Sequence, residues 1–242
     1  VTSDAPDLTP HALLDQVSTG TTRVLETVRK LTDDDLRAPS LLPGWTRGHV
    51  VAHLARNADS LVNLLIWART GVEIAQYPSA YLRDADIEAG APRPAEQLLL
   101  DLRAAVDRFS ALATTAPAES WSATVRTRQG KPTHASAIAR MRLLEVEIHH
   151  VDLAASYTPA DWPSVFVADE LPRVAVDIAT GLPSGAPAFA LESTDSDFRA
   201  TLGEGEPEHT VTGPSAQLLA WLIGRSSGNE LAGPLPGLPA WR

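Results

Sequence analysis

Cysteine is absent from this 242-residue chain. That excludes disulfides, thiolate metal sites and cysteine nucleophiles together. Any sulfur chemistry must therefore arrive with a small molecule, and any metal must rest on His, Asp and Glu. The seven histidines, at positions 11, 49, 53, 134, 149, 150 and 209, are the available imidazoles. Positive charge is also scarce: 20 Lys and Arg stand against 30 Asp and Glu, a formal net charge of -10. Nucleic acid and anionic membrane surfaces need a basic face, so neither is an expected partner. Apolar runs are brief, and "LLIWA" at 64–68 is far too short to span a bilayer. The opening "VTSDAPDLTPHALL" pairs no positive segment with an apolar core. It does not read as a secretory signal, and a cytoplasmic location is expected.

What is present is the composition of a globular protein, with 44% apolar and 21% charged residues. The length allows one large domain or two modest ones, each with a sizeable core. The N-terminal two-thirds reads as helical. A first helix is expected from about Pro10 to Lys30. A second follows Thr46, a suitable N-cap, and stops at Gly71, a residue that accepts the left-handed conformation. A third fits 94–116, where Leu98, Leu102, Val106 and Phe109 share one face. Thr133 is expected to open a fourth that runs to about Tyr157. The segment "VEIAQYPSAYLRDADIEAGAPR" makes a long crossing between the second and third. After "YTPADWPS" the pattern changes: "FALEST", "FRATLG" and "HTVTG" alternate as short strands do. "PSAQLLAWLIGR" then reads as a helix with Pro214 in its first turn. The expected fold class is α+β, a four-helix bundle over 1–157 and a smaller α/β domain over 158–242.

The stretch "MRLLEVEIHHVDLAA", 141–155, carries two glutamates, two histidines and an aspartate on an otherwise apolar helix. At about 100° per residue, Glu145, His149 and Asp152 fall within an arc of about 60°, beside Ile138, Met141 and Ile148. Glu147 points nearly opposite and reads as a solvated charge, and His150 also points elsewhere. The second helix repeats the arrangement: His49, His53, Asn57 and Ser60 form one stripe beside Val50, Leu54, Leu61 and Leu65. Burying either stripe alone leaves ionisable groups unsatisfied. A divalent metal between the helices would satisfy both, and so would a hydrogen-bonded polar core. Two histidines and one carboxylate are the usual ligands of a catalytic zinc. The spacing is not H-E-x-x-H, so a zinc peptidase is not indicated. Spacing leaves open whether His49 or His53 would bind.

The pairing of "LLPGWTRGHVVAHLARNA" with "MRLLEVEIHHVDLA" resembles the mycothiol-dependent maleylpyruvate isomerase family, within the DinB-like group of metal-binding four-helix bundles. The likeness also takes in the segment around Arg83 and "LIGRSSG" near the end. The resemblance implies zinc ligands His53, Glu145 and His149, with His49 outside them. It also implies roles for Arg83, on the crossing segment, and for Arg225, from a C-terminal domain that would close the site. A guanidinium grips a carboxylate through two hydrogen bonds. Arg83, among Asp84, Asp86 and Glu88, equally suits a surface ion pair. Asn57 and Asp152 are expected to support the cofactor site by orienting the ligands.

The implied cofactors are Zn2+, or another divalent metal, and mycothiol. The implied reaction turns maleylpyruvate into fumarylpyruvate by thiolate addition, bond rotation and elimination. Two other functions share the same motif: a mycothiol S-transferase that conjugates the thiol to an electrophile, and a non-catalytic metal-binding bundle. A small-molecule substrate and mycothiol are the expected partners, and the sequence leaves the oligomeric state open.

Overall fold

The computed structural model of the protein describes residues 8–241. They divide into two compact units that part between Tyr157 and Thr158. No helix among the described residues is long and apolar enough to cross a membrane.

The first unit is a helical bundle. Helix α1, Pro10–Val28, starts at Thr9, whose hydroxyl accepts from Ala12 N, with proline in its first turn. A short α2, Asp33–Arg37, leads to α3, Arg47–Thr70. Thr46 caps α3 with its side chain, and Gly71 ends it at φ 73°, a conformation that glycine adopts without strain. Helix α4, Ala80–Gly90, lies within the crossing segment and packs on α3. Helices α5, Ala95–Thr114, and α6, Ala137–Asp152, complete the bundle. Helix α3 packs against α5 and α6, and α1 packs against the same two, so four helices enclose one core. Val50, Leu54, Leu61, Leu98, Leu102, Ile138 and Leu143 fill it, each at most 1% exposed.

Both boundaries of the fourth helix differ from expectation, and it ends at Asp152 rather than near Tyr157. Thr133 does not open the fourth helix; it sits in β2, Pro132–His134, paired antiparallel with β1, Thr124–Arg126. The strands flank "TRQGK", a turn with Gly130 at φ 75°, and α6 begins four residues later at Ala137. A cap-type residue starts a helix only where the chain turns into one, and here Thr133 is paired to Val125 instead.

The end of α6 is fastened to the start of α3. Arg47 Nη2 donates to Ala154 O at 2.7 Å, and Leu41 N donates to Asp152 O at 3.0 Å. Ala154, with φ 50°, reverses the chain just past the helix. These ties bring the first turns of α3 beside the last turns of α6.

The second unit has α7, Ser164–Gly181, then β3, Phe189–Ser193, β4, Arg199–Leu202, β5, Thr210–Gly213, and α8, Ser215–Leu222. The sheet order is β4-β3-β5, with β3 antiparallel to β4 and parallel to β5. The alternating strand segments put Phe189, Leu191, Leu202 and Val211 into a core shared with α8. Pro214 stands at the N-cap position of α8, just before its first turn, without a side-chain cap. Helix α7 did not stand out in the sequence, because an internal proline, Pro172, interrupts its pattern.

Candidate metal centre

The polar stripes of α3 and α6 meet inside the bundle. His53 is 4% exposed. Its Nε2 lies 2.8 Å from Glu145 Oε2 and 3.1 Å from His149 Nε2. His149 Nε2 is 3.2 Å from the same Glu145 oxygen. The three donor atoms lie within 4.8 Å of one another, and no other group of this kind occurs among the described residues.

Hydrogen bonding alone serves this trio poorly. A neutral imidazole has a single N–H, and the Nδ1 of His149 is already engaged with Asp152 Oδ2 at 2.7 Å. Both Nε2 atoms converge on one carboxylate oxygen and on each other, and if each donates to Glu145 the 3.1 Å contact between the two rings is left without a hydrogen bond. A divalent cation satisfies such a set, and two imidazoles with one carboxylate leave a coordination position open. These residues therefore fit a metal ion.

The electrostatics agree. Burial pushes the Glu145 carboxyl up, but the charges and hydrogen bonds of His53 and His149 outweigh it and hold the group well below its usual range. Burial lowers His53, offset in part by Glu145, so its ring is neutral near pH 7. Burial also opposes charge on His149, yet hydrogen bonds to Asp152 and Glu145 raise it to about 9. Asp152, fully buried, thus keeps a proton on Nδ1 of His149 and turns Nε2, the nitrogen that must lose its proton to bind a metal, toward the centre.

Sequence and structure comparisons fit this geometry. Residues 17–154 match the mycothiol maleylpyruvate isomerase N-terminal domain, and residues 161–240 match the MDMPI C-terminal domain. The chain superimposes on the crystal structure of the mycothiol-dependent maleylpyruvate isomerase with a TM-score of 0.88 at 30% identity. A histidine-to-alanine mutant of that enzyme gives the same values. Each alignment covers 97% of this chain and 98% of the other. No curated protein matches the chain. The chain belongs to the mycothiol maleylpyruvate isomerase family.

Within this member of the family, the residues singled out in the sequence take distinct places. Arg83, on α4, is 15% exposed at its side chain; Nη1 donates to Asp84 at 2.6 Å, and Nη2 approaches His53 Nδ1 at 3.3 Å. It makes the ion pair its neighbours suggest and also reaches the centre. His49 stays outside the trio: its Nδ1 accepts from Thr46 N at 3.1 Å, and its Nε2 faces Glu88 at 3.2 Å. Asn57 is 3% exposed and accepts from Arg142 Nη1 at 2.8 Å, facing that guanidinium and not a ligand imidazole. Arg225 belongs to the second unit, where it follows α8 and donates Nη1 to Ile223 O at 2.9 Å.

Glu147 is not a solvated charge. It is 1% exposed, with Arg23 Nη2 at 2.7 Å and the Tyr157 hydroxyl at 2.5 Å. Angle alone placed it opposite Glu145, but that opposite face packs on α1, so α6 is buried on both sides. His150, beside it, bonds to Thr27 and stacks on Tyr157.

Two site residues escaped the sequence reading. Arg142 is 2% exposed and donates Nη1 to Leu54 O as well as to Asn57. Burial lowers it to about 10, so it remains a cation. Its position three residues before Glu145 was the available signal. Tyr77 lies on the crossing segment, with the Arg83 guanidinium 5.8 Å above its ring. No periodicity marks it.

Proposed function

We propose that the protein converts maleylpyruvate to fumarylpyruvate with mycothiol, using zinc held by His53, Glu145 and His149. The observation that carries this reading is the convergence of those three donors within 4.8 Å, in a chain that follows an isomerase structure over 97% of its length. When bound, the metal and the thiol supply a thiolate that adds reversibly to the cis double bond, so that the bond can turn before the thiol departs.

The chain's own groups prepare for that chemistry. Glu145 contributes the only negative charge of the donor set, so a divalent ion held there stays net positive. Asp152 holds the proton on His149 Nδ1 and leaves Nε2 free to bind. Arg83 offers a planar fork of N–H donors to a substrate carboxylate and stabilises negative charge that develops on the substrate's oxygens. The chain has no thiol of its own to compete with the cofactor's.

The test uses purified zinc-loaded protein with maleylpyruvate, with and without mycothiol, and follows the product by chromatography. Fumarylpyruvate formed only with mycothiol, present in catalytic amount, is the expected result. Stoichiometric consumption of mycothiol into a conjugate would replace this reading with an S-transferase. Turnover without any thiol would replace it with hydrolytic or other metal chemistry.

A further inference from the structure

We infer that Arg142 is a positioning residue for the metal centre. It ties α6 to α3 one turn from the ligands, so that His53 faces Glu145 and His149 before an ion arrives. The inference rests on the reading of those three residues as the metal ligands.

The two ligand-bearing helices are joined on both sides of the centre. On one side the start of α3 is fastened to the end of α6, through Arg47 to Ala154 O and Leu41 N to Asp152 O. On the other side Arg142 closes the same interface. Its Nη1 donates to Leu54 O at 2.9 Å and to Asn57 Oδ1 at 2.8 Å. Leu54 follows His53 directly, and Arg142 precedes Glu145 by three residues, about one helical turn. The ligands therefore lie between two sets of ties. Neither helix can slide or turn at the centre without breaking one of them.

The α3 end of this tie is itself held. Ser60 Oγ donates to Asn57 O at 2.8 Å, and Gln76 Nε2 donates to Ser60 Oγ at 3.3 Å. Gln76 accepts from Arg128 N at 2.7 Å through its side chain, and Asn63 Nδ2 donates to its carbonyl at 3.2 Å. Asn57, Ser60 and Gln76 are each at most 7% exposed. Arg142 thus anchors α6 to a buried polar network that joins α3, the crossing segment and the hairpin turn.

Stability alone is a poor reason for a guanidinium here. Arg142 is 2% exposed, and both acceptors are neutral. Hydrogen bonds, rather than an ion pair, must offset the loss of its hydration. An apolar side chain of similar volume would fill the space without that cost. What it would lack is direction. Apolar contacts tolerate a small slide of one helix on the other, whereas two hydrogen bonds from one nitrogen set the register. Ligands held ready also spare the ion the cost of ordering them.

The test separates positioning from stability. Arg142→Met leaves Asn57 Oδ1 buried without its donor, and should lower the melting temperature of the metal-free protein. Asn57→Leu combined with Arg142→Met removes both partners and should recover most of that loss. Zinc affinity, measured by competition with a chelator, should still be about tenfold below wild type in the double variant. The visible bands of the Co2+-loaded protein, which follow the geometry of the ligands, should shift in the same variant. Wild-type zinc affinity with an unshifted Co2+ spectrum, in either variant when folded by circular dichroism, would overturn the inference alone. A wild-type protein that binds no zinc would overturn the ligand reading and the inference with it. Zinc bound with the expected losses, but no isomerisation by wild type, would overturn the isomerase reading alone.

Discussion

His149 Nδ1 and Asp152 Oδ2 lie 2.7 Å apart, one turn from each other on α6. The carboxylate is fully buried and its partner is a candidate ligand, so the contact sets both the tautomer and the basicity of the ring. Asp152→Asn keeps the size of the side chain and removes its charge. Metal affinity should fall about 10- to 100-fold, read by competition with a chelator of known affinity, while the helical circular dichroism is unchanged. Equal affinity would show that the carboxylate does not tune His149.

His53, Glu145 and His149 share one centre, so losing one donor should release the ion. His53→Ala and Glu145→Ala are each expected to purify as folded bundles with metal far below stoichiometry. Elemental analysis of the purified variants checks this, and full metal content in either would remove that residue from the ligand set.

The raised value of His149 has consequences for pH. Burial works against its charge, but Asp152 and Glu145 outweigh burial and carry it from 6.5 to about 9. A basic group raised in the folded state stabilises fully below its unfolded value and ceases to do so above its folded one. Metal-free protein should therefore lose thermal stability as pH climbs from 6.5 through about 9. A metal needs the neutral ring, so binding at about pH 7.5 should release close to one proton. Calorimetry in buffers of different ionisation enthalpy measures that proton, and none released would mean that His149 is neutral before metal arrives.

Gly20, on α1, faces the buried ion pair of Glu147. A Cβ there would lie 2.5 Å from Glu147 Oε1 and 2.9 Å from Val146 Cγ1. Glu147 cannot yield easily, since Arg23 and Tyr157 hold both its oxygens. Gly20→Ala gains about 1 kcal/mol in helix propensity, against an overpacking cost of about 1–3 kcal/mol. The expected net effect is destabilisation, measured by urea denaturation; a stabilised variant would mean that the carboxylate moves aside.

The capped ends of α3 were legible because capping is local. Thr46 and Gly71 act on atoms within one turn of themselves. The polar stripes on α3 and α6 were legible because a helix fixes the angle between its own residues. Helix α6 could not be read to its N-terminal end, since Thr133 answers to a hairpin partner, Val125, and not to the helix. Glu147 was misjudged for a related reason: periodicity says which way a side chain points but not what covers it.

By itself, the sequence determined that any metal here would be held by imidazole and carboxylate, because it supplies no thiolate. It also placed Glu145, His149 and Asp152 on one helical face, and His53 in a second stripe. Spacing left His49 and His53 open; the tertiary structure sets His53, the one the family resemblance implied, beside Glu145 and His149, and turns His49 to Thr46 and Glu88. It alone brought Arg83, Tyr77 and Arg142 to the same place. The physical reason is that a helix sets angles within itself, whereas contacts between helices depend on how their core faces and connecting segments pack.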